Sequence, residues 1–117
     1  MRSFTDLEHQ LAPRLRRQIA AAESTEDVKK FFAQAGRDLL NQIFDGLDAT
    51  TDDVVLLPSD GPFFELAPRV SDHSQVAQLW DTSDLKHVIG RFAETAAHRF
   101  RHLKKNPEKT ESKIRHR

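Results

Sequence analysis

Three of the six histidines, His87, His98 and His102, fall on one stripe of the segment 82–105 if that segment is helical, with Arg91 and Glu94 between them. His98 and His102 stand at the i,i+4 spacing that can chelate a metal, so His87, His98 and His102, with Glu94 beside them, form a candidate metal or proton-transfer site. Two features weigh against it. The stripe lies opposite the apolar face of the same helix, where side chains meet water. No carboxylate and histidine pair has a recognised metalloenzyme spacing, and a stable site needs three or four ligands with a shielded surround. A solvated polar face is the plainer reading, and no cofactor is expected.

A second set of groups is cationic. From His98 to Arg117 there are eight Lys or Arg against two Glu, a balance of +6. The whole chain is neutral, so residues 1–97 carry −6, ten basic against sixteen acidic. Arg99, Arg101, Lys104 and Lys105 with the residues after them make a basic end suited to non-specific, salt-sensitive contact with nucleic acid or an acidic partner. Basic ends also serve solubility alone. Arg14, Arg16 and Arg17 read as ordinary solvated arginines. Val76 to Leu85 has the outline of a helix-turn-helix, but Asp81 stands where its turn favours glycine and Asp84 would face phosphate.

The third set is apolar. Leu56, Leu57, Phe63 and Phe64 flank the turn-rich run Pro58-Ser59-Asp60-Gly61-Pro62, and offer more apolar surface than a two-stranded hairpin hides on one face. They either pack on the helices or present a partner-facing edge or patch. The acids before them, Asp45, Asp48, Asp52 and Asp53, miss the register of a calcium loop and read as a solvated acidic stretch.

Composition removes several chemistries. Zero cysteines exclude disulfides, thiolate metal sites and cysteine nucleophiles. No run approaches the roughly 18 apolar residues of a membrane span, and no signal peptide is visible, so a soluble cytoplasmic protein without membrane contact is expected. No nucleophile, base and orienting group recur together, so no enzymatic activity is expected.

These groups must be held by a few elements. Phe4, Leu7, Leu11, Leu15 and Ile19 form a first amphipathic stripe, capped by Ser3 or Thr5, with Pro13 predicting a kink or a restart. Ser24, with Asp27 three residues later, caps a second and richer stripe from Val28 to Leu47. Thr50 to Asp53 can cap a short turn. Ser71 to Ser74 caps a short helix holding Val76, Leu79 and Trp80, with Trp80 as core or joint filler. Ser83 caps the last helix, whose apolar face is Leu85, Val88, Ile89, Phe92, Ala96, Phe100 and Leu103. Gly36 and Gly90 lie on the two long helices and predict that these cross closely at the glycines.

The expected fold is mainly α (α+β): four helices at 3–23, 25–46, 73–81 and 83–105, with a β-hairpin at 54–66 inserted between the second and third. Its core is predicted around Phe31, Phe32, Leu39, Leu40, Ile43, Leu79, Phe92 and Phe100. Residues 1–105 form one helical domain and 106–117 a disordered basic tail. The expected function is a non-enzymatic interaction or regulatory module, a homodimer in one version, using helix two and the hairpin. Nucleic-acid binding through the basic end is the alternative, and the histidine site the third.

Overall fold

The computed structural model describes residues 3–105. It is mainly helical with one antiparallel hairpin, as the apolar periods predict. In chain order the elements are α1 (Thr5–Ala21), α2 (Thr25–Ile43), a 3-10 turn (Thr51–Asp53), β1 (Val54–Leu56), β2 (Phe64–Leu66), α3 (Pro68–Ser71), α4 (Ser74–Trp80) and α5 (Leu85–Lys105). The predicted tail, 106–117, lies outside the described residues.

Helix α2 is the hub, packed against α1, α5, β1 and the 3-10 turn. It starts where the sequence says it should: Ser24 is its N-cap, and the Ser24 hydroxyl accepts the Asp27 amide at 3.1 Å. Val28, Phe32, Leu39 and Leu40 are wholly buried on it, each removing a large side chain from water at a gain of about 1.5–3 kcal/mol. Helix α5 answers with Leu85, Val88, Ile89, Ala93, Ala96 and Ala97, all at 0% exposure. Of the predicted core, Phe32, Leu39, Leu40, Phe92 and Phe100 are buried, while Phe31, Ile43 and Leu79 only pack against its rim.

Several local expectations are corrected. Helix α1 continues through Pro13 as one element, so the restart, one of the two expected outcomes, does not occur. The carbonyl that proline leaves without a partner belongs to His9, an exposed residue, and Ala12, Leu15 and Ile19 are buried on the other side. Neither Ser3 nor Thr5 is the N-cap. That position is Phe4, which has no capping side chain of its own, and the Asp84 carboxylate supplies the acceptor from across the fold, 2.8 Å from the Phe4 amide. Ser83 does serve α5, accepting the Leu85 amide at 3.2 Å while donating to the Leu79 carbonyl at 2.6 Å. The fold also has a fifth helix, the single turn α3. Pro68 opens it, because proline's fixed φ and missing amide suit a first helical turn after ending a strand.

The glycine crossing is wrong. A Cβ on Gly36 would stand 2.7 Å from Val54 Cγ1, so this glycine lets β1, not α5, lie on α2. Gly90 has nothing within 4 Å of where its Cβ would be.

The sealed end of the hairpin is held by a polar clasp. Asn41 exchanges two hydrogen bonds with the Ala49 backbone, at 2.7 and 3.0 Å. Asp53 accepts from the Thr50 amide and hydroxyl, closing the capping box of the 3-10 turn, and from Arg69. Arg69 also donates to the carbonyls of Leu47 and Asp48. The Asp53 side chain is 8% exposed, and its hydrogen bonds from Arg69 hold the carboxyl below the usual aspartate value against the opposing effect of burial.

Candidate functional site

The hairpin pairs Val54 with Leu66, Val55 with Glu65 and Leu56 with Phe64. Side chains alternate across a strand, so Val54, Leu56, Phe64 and Leu66 face the core while Val55 and Glu65 face out. Leu56 and Phe64 are therefore core residues, at 4% and 7% exposure, and Leu57 and Phe63 are half-buried. The predicted surplus of apolar surface is largely absorbed. Val55, 42% exposed, is the one large hydrophobic left open among the described residues.

The loop between the strands is tied down at both ends. The Leu57 amide donates to the Phe63 carbonyl at 2.8 Å and the Phe63 amide to the Asp60 carbonyl at 2.6 Å. Gly61-Pro62 is cis, and Phe63 takes φ +80°, a left-handed conformation that is costly for a bulky side chain. These two hydrogen bonds hold the Phe63 backbone, and α5 packs on its ring. The Arg101 guanidinium lies 5.4 Å over the Phe63 ring, and its Nη1 donates to the Pro58 carbonyl at 2.8 Å.

Two of the four cations nominated for nucleic acid make contacts within the fold. Arg101 braces the hairpin tip. Arg99 turns inward, its Nη2 donating to the Ala22 carbonyl at 2.9 Å while its Nε is buried without a hydrogen-bond partner among the described residues. Lys104 and Lys105 are exposed at the end of α5. In the helix-turn-helix outline, the second helix, α5, packs one face against α1 and α2.

The histidine stripe also divides. His87, His98 and His102 are all exposed. His87 lines a groove beside the hairpin, and His98 a different groove between α1 and α5. No group of three metal-ligating side chains comes together among the described residues. Between the two grooves Arg91 is held by Glu8, with contacts of 2.6 and 2.8 Å to the two carboxylate oxygens. That fork lowers the Glu8 carboxyl and raises the Arg91 guanidinium from their usual values.

What the fold does bring together is an aromatic centre at the hairpin. Trp80, at the end of α4, meets Phe64 edge-on with ring centres 6.0 Å apart. A groove of about 460 Å³ runs between the hairpin tip and α5, lined by Pro62, Phe63, Phe64 and Trp80, with Gly90 on its helical wall. A second groove of about 350 Å³ lies between β2 and α4, lined by Phe64, Glu65, Leu66, Ala77, Trp80 and Asp81. Pro62, Phe64 and Trp80 are common to both. No known protein family, curated protein or solved structure matches the chain.

Of these residues, Phe63 and Phe64 were legible as candidates. In sequence Trp80 reads as a core or joint filler and Gly90 as a packing glycine, and Ala77 is not singled out, because their meeting depends on how α4 and α5 fold back onto the hairpin. The one available signal was Gly90, a glycine in a helix interior with no turn to make. No helix among the described residues is long and apolar enough to cross a membrane.

Proposed function

We propose that the chain is a non-catalytic protein-interaction module whose contact surface is the hairpin side of the molecule, centred on Phe63, Phe64 and Trp80. The observation that carries this is the convergence of two grooves on one aromatic pair, with an open place above Gly90. Their walls are mostly apolar or aromatic, and the charged groups Lys86, Arg91, Glu94, Glu65 and Asp81 stand around them, the arrangement of an apolar contact with a polar rim. Helix α2, the other surface expected to make contacts, supports less: its apolar face is already occupied by α1, α5 and β1.

Gly90→Leu provides a clean test. Its side chain enters open space on a stable helix, so the fold survives while the groove fills. A photo-crosslinking residue in place of Phe63 is expected to give an adduct of defined mass that is lost in the Gly90→Leu background, while one in place of Lys30, on the exposed side of α2, gives none. Equal labelling from both positions, or labelling indifferent to Gly90→Leu, would sink the reading. The homodimeric version makes a separate prediction, a concentration-dependent mass in light scattering that Gly90→Leu abolishes.

A further inference from the structure

We infer that the free edge of β2 accepts an extended peptide bearing basic side chains as a third strand, seated in the groove between β2 and α4. The inference rests on the interaction-module reading and names the partner's chemistry.

The phase of the hairpin fixes which backbone groups are spare. The Ala67 amide donates to the Asp53 carbonyl at 2.9 Å, and the Leu57 amide to the Phe63 carbonyl at 2.8 Å. With Val55 opposite Glu65, every second pair is thus a hydrogen-bonded one, and the pairs Leu56/Phe64 and Val54/Leu66 are the intervening pairs. The amide and carbonyl of Phe64 and of Leu66 point away from β1. They have no backbone partner among the described residues.

Those groups face the groove. Phe64, Glu65 and Leu66 all line it, and no residue of β1 does. Successive side chains of a strand point to opposite faces, so three in a row can border one groove only along an edge. The opposite wall is α4, through Ala77 and Trp80. Phe64 and Leu66 turn their side chains into the core, and the backbone groups of this edge are left beside the groove without a backbone partner among the described residues. A two-stranded sheet is marginal alone, and a third strand about 4.8 Å outside β2 would use the space between β2 and α4.

The side chains specify the occupant. Residues of an added strand would alternate between the inner side, against Trp80 and Ala77, and the outer side, beside Glu65. The inner side is apolar, and the charged residues lining the groove, Glu65 and Asp81, are both acidic; Lys86 stands 3.7 Å from the exposed Asp81 carboxylate, so Glu65 carries most of the selectivity. Alternating apolar and basic residues satisfy both, and an acidic peptide meets like charge.

The probe is acetyl-Lys-Val-Arg-Val-Lys-amide, titrated into the full chain with amide resonances and hydrogen exchange followed. Phe64 and Leu66 amides are expected to shift and gain protection. The acidic analogue with glutamate at the charged positions binds at least about tenfold more weakly, Glu65→Lys weakens the basic peptide about fivefold, and Ala77→Arg, whose side chain fills the groove from an exposed helical position, abolishes binding. Equal affinity for the acidic peptide, or shifts confined to the Gly90 groove, would overturn the inference. So would protection of Phe64 and Leu66 in the protein alone: independent of concentration it places a segment of the same chain on the edge, and rising with concentration it places a second copy there. If the adduct from position 63 is lost with Gly90→Leu but kept with Ala77→Arg, the interaction module stands and the strand-edge assignment falls.

Discussion

The two sides of the hairpin are built on opposite terms. On the β1 side the contacts with α2 and the loop are closed, with Val55 alone facing out: Val54 fills the space over Gly36, Asn41 and Asp53 take up the loop backbone, and Arg69 ties three segments together. On the β2 side the strand edge has no neighbour, Gly90 leaves its helix surface bare, and Trp80 stands half-buried between two grooves. The same residue type, glycine at a helix interior, is a steric necessity in one region and a gap in the other. On the proposed reading the closed side braces the hairpin and the open side carries the contact.

That contrast can be broken most severely at the clasp. Asp53→Ala is expected to cost about 2–4 kcal/mol in denaturant unfolding, since it leaves the Thr50 amide and the Arg69 guanidinium without their acceptor in a nearly buried site. A loss below about 1 kcal/mol would show that the clasp is dispensable. The same carboxyl sets an acid limit. Its folded-state pKa lies below the ordinary value of 3.8, so its contribution is present above that value and is lost as pH falls through the lower folded-state pKa. Unfolding free energy measured against pH should therefore fall below about pH 4 in the wild type, and less so in Asp53→Asn.

The glycines give the next two effects, of opposite sign. Gly36→Ala should destabilise by about 1–2 kcal/mol net, because the stiff Val54 side chain must move out of a well-packed site and this outweighs the gain in helix propensity. Gly90→Ala should stabilise by about 0.5–1 kcal/mol, the propensity difference alone, as read by the denaturant midpoint. If both substitutions shifted the midpoint in the same direction, the distinction between a sealed and an open side would fail.

The smallest effect is expected at Glu8. Glu8→Gln removes the charge from a pair whose arginine is half-exposed, so a loss of no more than about 1 kcal/mol is expected, shrinking with added salt. A larger loss would move the α1–α5 groove to the closed side of the comparison.

Some of this was written in the chain's local pattern. The period-3.6 stripes of Leu85, Val88, Ile89 and Phe92, and of Val28, Phe32, Leu39 and Leu40, mark α5 and α2 because one apolar face must be buried whatever covers it. Ser24 and Ser83 mark helix starts because their hydroxyls act within three residues of themselves. Thr50 to Asp53 reads as a capped turn for the same reason. The hairpin was visible in two short apolar runs around a proline-rich loop.

The long-range pairings were not. Asp84 resembles a first-turn acid for its own helix, yet it serves Phe4, eighty residues away in sequence. Arg101 resembles a surface cation, yet it donates to the Pro58 carbonyl and lies over the Phe63 ring at the hairpin tip. The stripe of His87, His98 and His102 was correctly placed on a helix, but α1 and the hairpin divide the space in front of it into separate grooves. Periodicity reports which side of a helix is buried, because hydrophobic burial is non-directional and nearly indifferent to the partner. It does not report which element arrives there. Whether Gly36 or Gly90 is the crowded one was decided only when α2 received β1, and which grooves flank the hairpin only when α4 folded back beside β2, for a close contact depends on atoms brought together from distant parts of the chain.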